Sequence, residues 1–386
     1  MTSRRAYLDH ASTTPLRPAA RQAMAQWLEE AGGGAGVGDP GRVHEEGRRA
    51  RGVVESAREV VADFLGADPS RVIFTSGATE AANTAVFSSS VLRPGAPLAC
   101  AAVEHSSVRE ACRRAGQLVE LAVDTSGRLE VSSLDAMLAA GRPALVNCQL
   151  ANHEVGTLQP VAEVVARCRQ AGVLVHCDAA AAAGHLPISF RELGVDLMSV
   201  SAHKLGGPPG IGALVVRRGV RLAPLLVGGS EERARRAGAE NVLGIVGFAA
   251  ACEELRATFE DEASAAAAHT AHLAAAALAV HDVEVLGDAA RRLPHIVCLS
   301  VGGVLGEAVL LSLDRAGVAA HSGSACSSEV LEPSPVLAAM GADPERSLRL
   351  SVGWSTSDGD IAAFAAAFPE AVGRLRSLGG DDGAAG

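Results

Sequence analysis

The chain has 386 residues, 48% of them hydrophobic and 20% charged, which marks a folded globular protein with room for about two domains. A net charge of −10 and an aromatic content of 3% argue against nucleic acid as the main partner, whether bound through phosphates or by base stacking. No apolar stretch reaches membrane-spanning length, and the first residues carry no apolar signal segment. Eight cysteines lie scattered with no Cys-x-x-Cys pair, which favours reduced thiols in a cytoplasmic protein over disulfides or a zinc site.

Short apolar runs and amphipathic stretches alternate from residue 72 onward. Strands are expected at 72–75, 98–102, 118–122, 144–150, 174–177, 197–201 and 212–216. Helices are expected between them at 80–92, 107–115, 134–140 and 161–171. That alternation predicts an α/β fold with a mostly parallel central sheet and helices on both faces. Residues 241–280 read as a long helix broken near 259–261. Strands at 284–286 and 295–301, a helix at 306–316, a strand at 348–352 and a helix at 358–375 then form a smaller α+β unit. The expected division is a large domain at 16–258, with 1–15 and 259–386 forming the small domain. From about 379 the Gly/Asp-rich tail is expected to be disordered.

In such a sheet, ligands bind beyond the carboxyl ends of the strands. Five strand ends carry polar groups there. Thr75-Ser76-Gly77-Ala78-Thr79-Glu80 opens a helix, where backbone N–H groups and the positive helix end favour a phosphate. An ordinary helix cap by Ser76 or Thr79 is the competing reading. Glu104-His105-Ser106, Asn152-His153-Glu154, Asp178 and Ser201-Ala202-His203-Lys204 complete the set. A buried Asp can pair with a protonated pyridine nitrogen or simply cap a helix that follows the strand. His105 can stack on a flat ring, move protons, or serve structure alone.

Lys204 is the only lysine among 34 Lys+Arg positions. Arginine keeps a charge but stays protonated, so it cannot act as an amine nucleophile. A lone lysine after an apolar run is therefore a candidate for Schiff-base chemistry. A phosphate cradle, an Asp, a His and the sole Lys on neighbouring strand ends fit pyridoxal phosphate (PLP). Cys326 is a second centre. Its surroundings, His321-Ser322-Gly323-Ser324-Ala325-Cys326-Ser327-Ser328, are expected to form a flexible surface loop in which a thiolate can attack.

These motifs, from Tyr7-Leu8-Asp9-His10-Ala11-Ser12-Thr13-Thr14-Pro15 to Leu348-Arg349-Leu350-Ser351, make the chain resemble the cysteine desulfurases of the class V aminotransferase fold, nearest the long-loop type serving nitrogen fixation and iron–sulfur-cluster assembly. The resemblance covers nearly the whole chain. It implies the fold type I, aspartate aminotransferase-like architecture. It implies that Lys204 holds PLP, that Asp178 pairs with the pyridine nitrogen, and that His105 stacks on the ring. Ala78, Thr79, Ser201 and His203 would bind the phosphate, with His153 near cofactor and substrate. Arg349 would grip the carboxylate of L-cysteine. The freed Lys204 amine would move the Cα proton, and Cys326 would take the substrate sulfur as a persulfide, releasing alanine. An acceptor protein for that sulfur and a homodimer are also implied.

Three positions depart from the family's pattern. His153 stands for a usual Asn, Ala181 for a usual Gln, and Ala239 for the Thr that reaches the partner's phosphate. Trp354 stands where Arg is common. Two other readings follow. One is a different PLP lyase of the same fold, acting on selenocysteine or as a β-lyase. The other is a non-catalytic scaffold homologue.

Overall fold

The computed structural model describes residues 5–32, 38–322, 324–327 and 330–380. A seven-stranded sheet forms its centre. The strand order is Val72–Thr75, Gly212–Val216, Leu197–Ser201, Leu174–Asp178, Leu145–Asn147, Leu98–Ala101, Leu118–Leu121. Gly212–Val216 runs antiparallel to both neighbours, and the remaining pairs are parallel. Strands Leu197–Ser201 and Gly212–Val216 are buried at every residue, which explains why they read as continuous apolar runs. Their side chains alternate between two cores. Val146, Val175 and Met198 join helices Glu45–Phe64, Val161–Ala171 and Val242–Leu278 on one face. Leu145, Leu197 and Leu214 join helices Ala78–Leu92 and Ser106–Ala115 on the other.

A second, four-stranded antiparallel sheet orders His321–Ser322, Ser347–Ser351, Ile296–Val301 and Val283–Leu286. Helices Gly306–Arg315 and Asp358–Gly380 pack on it around Val297, Leu299, Leu348, Phe364 and Phe368. The chain's first strand, Ala6–Tyr7, pairs in parallel with Val318–Ala319 and places Leu8 in this second core.

The helix expected to break near 259–261 is continuous from Val242 to Leu278. Asn241 caps it, its side chain accepting from the Gly244 N–H. The acidic run that suggested a break is accommodated. Glu262 takes two contacts from Arg17, at 2.7 and 2.6 Å, and no Pro or Gly interrupts 248–278. The last helix runs to Gly380, past its expected end at 375 and through the start of the expected disordered tail. Residues 381–386 of that tail lie outside the described residues. The Cys326 segment, expected as a loop, has strand backbone instead. Ser324–Ser327 pairs antiparallel with Val330–Pro333, setting Cys326 opposite Leu331. The Cys326 side chain lies outside what the structure describes.

Candidate active site

The carboxyl ends of the central strands meet the second sheet at a cavity of about 550 Å³. Lys204, Asp178, His105, His153 and Arg349 all line it, and so do Ala78, Thr79, Ser201 and His203. Every residue expected at the site from sequence, Cys326 apart, therefore reaches one space.

Lys204 ends the turn Ala202–Lys204 that follows strand Leu197–Ser201. Gly207 closes this turn by donating to the Ala202 carbonyl at 2.9 Å, and a Cβ at Gly207 would fall 2.8 Å from that of Ala202. Lys204 keeps partial exposure toward the cavity. Burial nevertheless pulls its amine down to about 8, with Arg349 adding to the fall and Asp178 and Asp9 opposing it. The neutral amine needed for carbonyl chemistry is thus within reach near neutral pH.

Asp178 closes strand Leu174–Asp178 and is 8% exposed. Its Oδ1 accepts from Ser199 Oγ at 2.9 Å and from the Ala180 N–H at 3.0 Å. No helix follows the strand, so the helix-cap alternative fails; Asp178 holds the turn at Ala180 while lining the cavity. His105 caps helix Ser106–Ala115, its Nδ1 accepting from the Ser107 N–H at 3.1 Å. The neutral ring therefore carries its proton on Nε2. Burial lowers its pKa, Lys204 lowers it further, and Asp178 opposes. His153 meets His105 edge to face, with centroids 5.0 Å apart. Burial first, then His105, Lys204 and Arg349, hold it far below the usual imidazole range, and its buried Nδ1 has no partner.

At the start of helix Ala78–Leu92 the N-cap is Gly77, with no side-chain cap. The ordinary-cap alternative therefore fails, and the helix end is left open to an anion. Gly212 packs against this turn so closely that an added Cβ would lie 2.7 Å from Gly77 Cα.

Arg349 comes from the second sheet and is 5% exposed. Its guanidinium donates to the His153 carbonyl at 2.9 Å, to Asp9 Oδ1 at 2.8 Å and to Ser12 Oγ at 2.6 Å. Its Nε has no partner. Asp9 and Ser12 received no role from sequence, although an acid and a hydroxyl beside the first strand were visible there. Glu104 was also passed over. Its Oε1 accepts from the Gln149 N–H at 2.5 Å, its Oε2 has no partner, and burial lifts it to about 8.

Of the departing positions, Ala181 lines the main cavity, while Ala239 lines a separate depression with Ser76, Gly210 and Arg236. Trp354 sits behind Lys204. Its indole N–H donates to the Pro15 carbonyl at 2.9 Å, and it borders a small enclosed space of about 20 Å³ with Arg17 and His185.

The class-V aminotransferase family matches residues 6–364, a span that carries the open helix end, Lys204, Asp178 and His105. The chain belongs to this family, and its curated relatives are cysteine desulfurases. It is 39% identical over 381 residues to a cysteine desulfurase of Nostoc sp., covering 96% of this chain and 94% of that one. A NifS-like protein from Rickettsia africae superposes with a TM-score of 0.87 at 26% identity, over 95% of this chain and 99% of that one. A solved structure of SspA in complex with cysteine gives a TM-score of 0.74 at 26% identity, over 90% and 98% of the two chains. The family is PLP-dependent, and the chain is an enzyme of this class.

Proposed function

We propose that this chain is a PLP-dependent cysteine desulfurase that converts L-cysteine to L-alanine and collects the sulfur as a persulfide on Cys326. The observation that carries the reading is the sole lysine, of lowered basicity, on one cavity with Asp178, His105 and an uncapped helix end. The residues fit the cofactor. The open first turn of Ala78–Leu92, with Thr79, Ser201 and His203, suits the phosphate. Asp178 suits the ring nitrogen, His105 the ring face and Lys204 the aldehyde. Bound PLP supplies an electron sink at the substrate α-carbon.

Lys204 moves the α-proton, a task matched to an amine poised near neutrality. The unpartnered Arg349 Nε marks the guanidinium as ready for a carboxylate. His153 borders both cofactor and substrate. The Cys326 thiolate then attacks the cysteine sulfur. An S–S bond forms, the C–S bond breaks, and its electron pair stays on the β-carbon, which gains a proton to give alanine. The persulfide passes to an acceptor protein. The working unit is a homodimer in the cytoplasm, and the free, buried state of the seven described cysteines agrees with a reducing compartment. The two-domain division, 16–258 against 1–15 with 259–386, stands as part of this reading, with the helix Val242–Leu278 crossing the joint.

The test is incubation with PLP and cysteine, measuring alanine and the mass of the Cys326 peptide. One alanine per persulfide is expected in the first turnover. Lys204→Arg keeps the charge and should abolish both. Cys326→Ser should abolish persulfide and lower alanine at least about a hundredfold. Unchanged alanine in Cys326→Ser would reject the sulfur relay, and wild-type turnover in Lys204→Arg would reject the whole reading.

A further inference from the structure

Asp178 ends a row of hydrogen-bonding groups that crosses the sheet beneath the cavity. Ser199 Oγ lies 2.9 Å from Asp178 Oδ1 and 3.2 Å from His176 Nε2. His176 Nδ1 lies 2.9 Å from Asn147 Oδ1. Asn147 Nδ2 lies 2.9 Å from the Ala99 carbonyl and 3.4 Å from Cys112 Sγ. Four neighbouring strands supply the row, and Asn147, His176 and Ser199 are each 0% exposed.

Its protons can be placed one by one. The Ala99 carbonyl only accepts, so Asn147 turns its amide nitrogen to it and its oxygen to His176. That oxygen only accepts, so His176 Nδ1 carries a proton. Burial pushes His176 down to about 4 against the pull of Asp178, so the ring is neutral and Nε2 offers a lone pair. Ser199 has one proton and faces two acceptors. The charged acceptor at the shorter distance is Asp178, which leaves two lone pairs facing each other between Ser199 and His176. The row is one proton short. Asp178 is the charged group bearing on His176, Cys112 touches the row only through Asn147, and burial lifts Glu104 to about 8.

We propose that Ser199 and His176 are positioning residues that set how strongly Asp178 holds a proton on the cofactor's ring nitrogen, by competing for the single Ser199 hydroxyl proton. This rests on the reading of Asp178 as that nitrogen's partner. When Ser199 donates to Asp178, the carboxylate is a weaker base. When Ser199 donates to His176, Asp178 is released to hold the ring proton. Two neighbours in one row therefore act in opposite senses.

The test uses the PLP-loaded protein and the pH midpoint of its visible absorbance. Ser199→Ala strips a donor from Asp178, strengthens it as a base, and should lower the midpoint. His176→Phe removes the competing acceptor, commits the Ser199 proton to Asp178, and should raise it. Shifts of about half a pH unit or more, opposite in sign, are expected. Shifts of the same sign, or none, overturn the proposal, because a purely structural role would move both variants alike. If either variant fails to fold, the ring ¹⁵N spectrum of wild-type histidines decides. A neutral His176 protonated on Nδ1 is expected, and protonation on Nε2 alone overturns the proposal. Asp178→Asn separates the two levels. If it leaves the band and midpoint unchanged, the role of Asp178 itself is wrong. If it moves the midpoint while Ser199→Ala and His176→Phe do not, only the row is wrong.

Discussion

Lys204 shows how much one residue can disclose before any coordinate is known. Its uniqueness in an arginine-rich chain pointed to amine chemistry, and its environment gives that chemistry a pH dependence. Below about 8 the amine is protonated and cannot attack an aldehyde; above it the amine is free. Uptake of PLP by the cofactor-free chain, followed by the rise of visible absorbance, should therefore speed up with a midpoint near 8. A midpoint near the ordinary lysine value of 10.5 would mean that the burial of Lys204 has been misjudged. His105, His153 and Asp178 were equally legible, because strand-end polar residues on an α/β sheet have few other places to go. Asp9 and Ser12 were not. Their contact with Arg349 spans 340 and 337 positions, and no local pattern announces it. Asp9 and Ser12 already hold one nitrogen of Arg349. On the proposed role of Arg349, a substrate carboxylate would share or displace that contact. Asp9→Asn should therefore lower KM for cysteine several-fold if displacement limits binding, measured by steady-state kinetics.

Elements with regular period and close neighbours were read well. Val72–Thr75, Leu197–Ser201, Gly212–Val216 and Val161–Ala171 have the bounds their sequences suggest. The antiparallel insertion of Gly212–Val216 was not legible, since a strand's direction leaves no mark on its composition. The unbroken helix Val242–Leu278 was missed for a different reason. Its acidic middle looks like a break until Arg17, 245 residues away, is seen holding Glu262. The backbone of the Cys326 segment was misread because small residues favour turns and hairpins alike. At this scale the sharpest prediction concerns Gly212. An alanine there would set its Cβ 2.5 Å from the Val200 carbonyl and 2.7 Å from Gly77 Cα, both backbone atoms that cannot swing aside. Gly212→Ala should cost about 2 kcal/mol in urea unfolding and weaken PLP binding by displacing the open helix end. An alanine variant with wild-type stability would show that this strand contact is looser than the geometry indicates.

At the scale of the molecule, the cavity is closed by both sheets, so its roof and floor come from distant parts of the chain. Val43 and Val227 are 87% and 82% exposed in the single chain. Sedimentation should give twice the chain mass, and a purely monomeric species at micromolar concentration would remove the homodimer from the account. The single, half-buried lysine has one more consequence, and it is practical. A surface whose cations are arginines is silent to amine-selective acylating reagents, so apart from the chain's α-amine they have one amine target. Lys204 then adds one mass increment beyond that of the α-amine, and cofactor seated on Lys204 should block that increment. The intact mass spectrum of a preparation thus becomes a census of its vacant active sites, taken without substrate or turnover.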